Sequence, residues 1–378
     1  MPKRITYKIM KALKIGKYGV FLVCILGTIF SLNFGLDMDN KLDFKALPPL
    51  TSDFYRRLSP IYIDNLDPEN NWEVFILENP WVVGTGSRED PYILNNMFID
   101  AKGGQSCVLI KNSDSVFQII NSVFFNTSFR DFPTYFDPGQ GIYLENVSHG
   151  HIINSIFYNN ELFGIRAINS ILIDIYHNSI YNSESTGIFF YNIRKSIIES
   201  NQIYDHSTGI YLVLSHYNSI ITNNISLSRG EGLMLFRSNY SLISDNTISK
   251  ATINIELLNS SHNSVEHNLL SQFTQSGIRL RWFSHHNTIL RNTVLGSGSN
   301  ILIGDSSKNT VLRFNNPSGY FRYEDIASNN KKDDKDDNNS EKNNENKAPP
   351  IPLLNILFIG LFLFAIITVI AIIIKYSN

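Results

Sequence analysis

Two cysteines in 378 residues leave this chain without a disulfide framework. Cys24 lies in an apolar N-terminal run and Cys107 far downstream, so paired cysteines and cysteine-based metal motifs are excluded. Net charge is nearly absent: 32 Lys and Arg stand against 34 Asp and Glu, for a formal charge of −2. No basic stripe appears, and without one a nucleic-acid partner is not expected. The centre of the chain also lacks any helix-length apolar segment. That excludes helical repeats and turns attention to strands.

What is present is a repeat. Asn154, Asn178, Asn201, Asn223, Asn246, Asn268, Asn292 and Asn315 recur every 22 to 24 residues. A second marker runs in step: Gly141, Gly164, Gly187, Gly209, Gly232, Asn254, Gly277 and Asn300. Two markers keeping one period over eight turns specify a solenoid. After each glycine-row marker, Ile142, Ile165, Ile188, Ile210, Leu233, Ile255, Ile278 and Ile301 are apolar, and the residue two further on is apolar again. That alternation is a strand signature. A second apolar row follows the asparagine by two (Ile156, Ile180, Ile203, Ile225, Ile248, Leu270, Val294), and a third precedes it by three.

The asparagine has two physical reasons to recur. It tolerates the left-handed backbone that a sharp bend requires. Stacked about 4.8 Å apart, asparagine side chains also hydrogen-bond as a ladder. Asn121 with Val123 and Asn96 with Phe98 extend the pattern upstream, and the stretch Asn126 to Gln140 interrupts it as an expected protruding loop. The reading is an all-β, single-stranded, right-handed parallel β-helix of about ten coils, roughly 45 Å long.

The segments "SHYNSIITNN", "SSHNSVEHN" and "SHHNTILRN" resemble the repeats of NosD-like and pectin-lyase-like β-helix proteins, and "GTGSREDPYIL" (Gly84 to Leu94) resembles the entry motif of archaeal surface proteins of that group. The resemblance covers about residues 60 to 318. It implies the fold strongly and an activity weakly, since the scaffold carries lyases, hydrolases, epimerases, adhesins and copper-delivery accessory proteins.

The ends suggest a membrane. Lys3, Arg4, Lys8, Lys11, Lys14 and Lys17 precede an apolar run from Tyr18 to Leu36, and Ile351 to Ile374 is apolar before Lys375. These read as an N-terminal anchor or signal and a C-terminal transmembrane helix. Basic outer flanks put both termini in the cytoplasm and the β-helix outside. The organisation expected is a basic segment and anchor over 1–36, a lead-in and cap over 37–80, the β-helix over 81–318, a polar linker over 319–350 and a membrane helix over 351–374.

Function should lie on the outward positions of the strand after the glycine. One row reads Tyr143, Arg166, Phe189, Tyr211, Met234, Glu256, Arg279; the next includes Glu145, Tyr191, Phe236 and Arg281, with Trp282 beside it. Aromatics and arginines, in place of Ser, Thr and Lys, favour contact with a polysaccharide or a protein partner. Catalysis finds less support. Glu145 and Glu256 lie five coils apart, beyond the span of paired carboxylates in glycosidases, and "SHGHI" (Ser148 to Ile152) only partly matches the Gly-His-Gly signature of polygalacturonase relatives. No cofactor is expected. His262 and His286, equivalent on adjacent coils, are the weak metal candidates. The leading expectation is a membrane-anchored, non-catalytic binding or adhesion protein; the alternatives are a polysaccharide-modifying enzyme and, ranked lower, a copper-delivery accessory protein.

Overall fold

The computed structural model describes residues 54–104, 106–128, 139–304, 307–316 and 321–322. The apolar segments at both ends, the polar linker and residues 129–138 of the insert lie outside the described residues. Among the described residues no helix is long and apolar enough to cross a membrane.

The repeat folds into three parallel sheets visited in turn by each coil. Sheet 1 stacks ten strands, from Arg56–Leu58 through Met97–Asp100, Ile156–Asn160 and Gln202–His206 to Thr293–Leu295. Sheet 2 contains the strands that follow the glycine, and sheet 3 those that precede the asparagine. Every named strand pairing is parallel, each strand partnering those of the adjacent coils. About nine turns result. The first inward row, Ile142 to Ile301, is buried throughout. Each such side chain contributes roughly 1.5–3 kcal/mol by leaving water. At the N-terminal end a short helix, Trp72–Glu78, is capped by the Asn71 side chain accepting from Val74 N at 3.0 Å. Its buried Trp72 stacks on Tyr92 at 4.6 Å and donates Nε1–H to Ser113 at 2.8 Å, closing that end of the core.

The asparagines form the expected ladder. Asn201 Oδ1 accepts from the backbone N and from Nδ2 of Asn178, at 2.9 and 3.0 Å, and the same pair of bonds links Asn201 to Asn223, Asn223 to Asn246, Asn246 to Asn268, Asn268 to Asn292 and Asn292 to Asn315. Each Nδ2 also donates to a carbonyl of the preceding coil, as Asn178 does to Ile152 O at 2.9 Å. The row therefore satisfies the buried backbone groups that a sharp corner leaves over.

The other proposed reason fails. None of these ladder asparagines has positive φ; the left-handed residue is the one before, His177 (57°), Ser200 (56°), Thr222 (54°), Asp245 (56°), His267 (56°) and Arg291 (52°). The two roles had been assigned to one position and belong to two.

The distinction also corrects the upstream register. In the early coils the ladder position is a serine: Ser155 N donates to Asn178 Oδ1 at 2.9 Å, and Ser122 N to Ser155 Oγ at 3.1 Å. Asn154, Asn121 and Asn96 hold the left-handed position, with φ of 50°, 51° and 55°. Accordingly Phe157, not Ile156, pairs with Ile180 and is buried, and Ile156 turns outward. Phe98 is likewise half-buried, while its neighbours Met97 and Ile99 enter the core. Asn126, Thr127 and Gln140, read as loop, end or begin strands.

The glycine row is set by space, not by φ. A Cβ on Gly164 would sit 2.4 Å from Ile180 Cγ2 and 2.7 Å from the Gly187 carbonyl oxygen. Glycine lets sheet 2 start against the inward residue of sheet 1 at the corner between them.

Candidate ligand-binding face

The outward side of sheet 2 assembles as the spacing predicts. Tyr143, Arg166, Phe189, Tyr211, Met234, Glu256 and Arg279 are successive register partners on adjacent strands. Glu145, Ile168, Tyr191, Val213, Phe236, Leu258 and Arg281 form the second row two residues on. Trp282 stands just past the strand in the left-handed conformation, exposed, with the Arg281 guanidinium 5.7 Å from its ring.

The rows are not uniformly open. Tyr143, Arg166, Phe189 and Glu256 are buried, and Tyr191, Tyr211, Phe236, Arg279 and Arg281 are half-buried. Two local groups stand out. Toward the C-terminal coils, Glu256 Oε1 accepts from Arg279 Nε at 2.7 Å and from Arg281 Nε and Nη2 at 2.9 Å. Arg279 Nη1 also donates to Gln275 at 3.2 Å. Toward the N-terminal coils, the Arg166 guanidinium lies 4.8 Å from the Tyr143 ring and 5.5 Å from Phe163, whose ring packs on Phe189 at 5.1 Å. Glu145 pairs with Lys111 at 3.3 Å.

Sequence reasoning missed Phe163 and Glu231, which precede their glycines by one. Alternation counted back through the glycine would turn them inward, yet the Phe163 ring meets Arg166 and Phe189 and Glu231 lies within the influence of Glu256. Burial raises the Glu231 carboxyl above the usual carboxylate range and the charge of Glu256 adds to this, while Arg279 and Arg281 pull it down. Also missed was an aromatic ladder on sheet 1, where Phe125, Tyr158, Tyr181 and Tyr204 stack face to face at 4.7, 5.5 and 5.0 Å. Burial pushes the Tyr181 hydroxyl up to about 12, with Tyr204 adding to it.

Two other sequence features fall elsewhere. In "SHGHI", His151 faces Asp174 at 3.4 Å and His149 faces Arg88 at 3.0 Å, both on sheet 3 and off the candidate face. His262 and His286 stack with ring centroids 4.9 Å apart and an 8° interplanar angle, continuing a column from Tyr217 and Tyr240. Lone pairs of stacked parallel rings point side by side, not at a shared ion. Among the described residues no group of three or more His, Cys, Asp and Glu converges on a metal position. Cys107 is buried, and burial pushes its thiol up to about 12, which keeps it protonated.

The model of the right handed beta helix region matches residues 106–230, and that of the periplasmic copper-binding protein NosD matches residues 225–348. This chain is a right-handed parallel β-helix repeat protein. No curated protein matches the sequence. Among solved structures the β-helix is similar to the periplasmic alginate epimerase AlgG (15% identity, 61% of this chain, 63% of that chain, TM-score 0.47). It is also similar to the Dettilon tailspike protein (12% identity, 68% and 54%, TM-score 0.47) and to a mannuronan C-5 epimerase A-module of Azotobacter vinelandii (13%, 58% and 82%, TM-score 0.41). The chain thus spans 63% of the length of that AlgG structure. At these identities the likeness is one of coil architecture.

Proposed function

We propose that this β-helix repeat protein works outside the cytoplasm, held to a membrane by its apolar end segments, and binds polysaccharide on the outward face of sheet 2 without catalysing a reaction. The observation that supports this reading is the alignment of aromatic and arginine side chains in two rows along one continuous parallel sheet. A sugar polymer presents flat C–H faces and hydroxyl edges, which suit rings and guanidinium groups respectively. The test uses the full chain in detergent micelles on a glycan array, with Tyr191→Ala and Phe236→Ala as variants. Retention of a glycan by the native chain, weakened in both variants, supports the reading. No retention of any glycan sinks it and leaves a protein partner.

One observation favours an enzymatic alternative. Glu231 and Glu256 have different surroundings: Glu256 accepts from Arg279 and Arg281, while burial and the nearby Glu256 raise the Glu231 carboxyl. Two acids in unequal environments are the usual basis for dividing acid and base roles. Product analysis after incubation with the retained glycan decides it; shortened or unsaturated chains that disappear in Glu231→Gln would replace the binding reading with a polysaccharide-modifying one.

The copper suggested by the NosD model does not fit the described residues. The stacked His262 and His286 offer no convergent pair, and the Cys107 thiol is buried and protonated. No step is assigned to a metal.

A further inference from the structure

Each coil turns from sheet 2 to sheet 3 through a corner bracketed by two left-handed residues, as at Leu214 and Tyr217 or Arg237 and Tyr240. Stacked along the β-helix, these corners form a ridge. Among the described residues between 140 and 304, every exposed Tyr, Trp or Phe stands on it: Tyr217, Tyr240, Trp282 and Phe283. Arg194, Lys195 and Arg237 are exposed there too. The five corner segments 192–196, 214–218, 237–241, 259–263 and 282–287 contain no Asp or Glu. The other two corners differ. Glu184 and Asp205 are exposed where sheet 1 leads into sheet 2, and Asp245 where sheet 3 leads into sheet 1. A chain of formal charge −2 thus gathers cations and aromatics, without carboxylates, along one edge.

Ring geometry narrows what that edge can meet. Tyr217, Tyr240, His262 and His286 stack at 4.9 to 5.0 Å with interplanar angles of 8 to 10°, so the inner rings have both faces covered. A sugar or a base needs an open aromatic face to stack on. The column instead offers ring edges and tyrosine hydroxyls, apolar bodies with polar tips. Tyrosine and tryptophan take that role at the boundary between lipid and water. A corner also projects, so it meets a flat surface and encloses no groove.

We propose that this ridge lies against an anionic bilayer surface. Arg194, Lys195 and Arg237 approach the lipid phosphates, and Tyr217, Tyr240, Trp282 and Phe283 enter among the headgroups. The absence of carboxylates matters because the same phosphates would repel them, whereas each cation near the surface adds attraction. The inference rests on the membrane reading above and gives it an orientation: the β-helix lies along the bilayer, with sheet 2 accessible beside it.

The test reconstitutes the full chain into vesicles of phosphatidylglycerol or of phosphatidylcholine, each brominated on the acyl chain near the headgroup, and measures quenching of tryptophan emission. Trp72 is buried and Trp81 half-buried, and Trp282→Phe identifies the share due to Trp282. Quenching of Trp282 is expected to be at least about twofold stronger in phosphatidylglycerol, and to fall to the phosphatidylcholine level in about 0.5 M salt. Combining Arg194→Gln, Lys195→Gln and Arg237→Gln should have the same effect as salt. A chain that floats with the vesicles while Trp282 is unquenched overturns the ridge proposal and leaves the membrane reading standing. Equal quenching in the two lipids, or a preference that survives in the triple variant, also overturns it. A chain that floats with neither vesicle overturns both readings. If the triple variant does not fold, the two lipids and the salt dependence of the native chain still decide the question.

Discussion

Asn254 stands where the two neighbouring coils carry Gly232 and Gly277, and Leu270, sixteen residues on, stands where those coils carry the β-branched Ile248 and Val294. Gly164, Gly187, Gly209 and Gly232 each leave room for the Cγ2 of Ile180, Ile203, Ile225 or Ile248, at 2.4 to 2.7 Å from a hypothetical Cβ. Gly277 does the same for Val294 Cγ1 at 2.1 Å. Leu270 is the register partner of Ile248 and Val294 but has no branch at Cβ. The space released admits the Asn254 side chain, which is buried and donates to Ser271 O at 3.1 Å.

The pair should behave as a unit. Leu270→Ile alone is expected to cost about 1–3 kcal/mol by overpacking against Asn254. Combined with Asn254→Gly, most of that cost should vanish, since the ordinary pairing of the other coils is restored. Urea unfolding of both single variants and the double variant gives the coupling directly. Additive effects would refute the steric account.

The two roles at the sheet 3 to sheet 1 corner predict opposite outcomes for adjacent residues. Asn223→Leu removes an amide that accepts from Asn201 N and Nδ2 and donates to Ile198 O and Asn246 Oδ1. Leaving those buried groups unpaired should cost about 3–5 kcal/mol. Thr222→Asn, one residue earlier at φ 54°, replaces a β-branched residue with one that favours this conformation. A gain of roughly 0.5–1 kcal/mol is expected in the same unfolding measurement.

Stability should fall in mild acid, in part through His206. The ring is fully buried; Nδ1 lies 3.2 Å from Ser183 N and 3.1 Å from Ser183 O, and Nε2 lies 3.1 Å from Ile180 O. Burial lowers its pKa to about 4. An unfolded histidine titrates near 6.5, so the unfolded chain binds the extra proton between those values. The contribution is complete above pH 6.5 and is lost as pH falls toward 4, on the order of 3 kcal/mol in all. His149 and His216 are lowered as well and act in the same direction. His206→Asn should flatten the profile in this window without abolishing it. Asn160, two coils earlier in the same column, already makes the equivalent bond to Phe124 O at 3.3 Å. An unchanged pH profile would exclude His206 as a source.

Glu256 tests whether the second arginine group is structural. Its carboxylate is buried and serves two guanidinium groups, so Glu256→Gln should destabilise by about 3–5 kcal/mol through the cations left behind. Glu256→Gln with Arg279→Met and Arg281→Met should recover much of the loss. Thermal unfolding of the single and triple variants separates this from a role confined to ligand contact.

The sequence by itself determined the coil, its period and the membership of the sheet 2 face, because a parallel stack repeats one local pattern at each turn. Alternation over two residues was enough to name Tyr143, Arg166 and Phe189 as neighbours. It did not separate the ladder position from the left-handed position, since asparagine suits both and the two are adjacent; only the backbone, with His177 and Thr222 at positive φ, divides them. Nor did it distinguish Arg166 from Arg279 and Arg281. All three occupy outward positions, and pairing depends on which carboxylate the stacking of coils brings within 3 Å. Tertiary structure placed Glu256 between two of them and left the third with rings alone, because hydrogen bonding depends on side-chain geometry across coils, which a one-dimensional period does not encode.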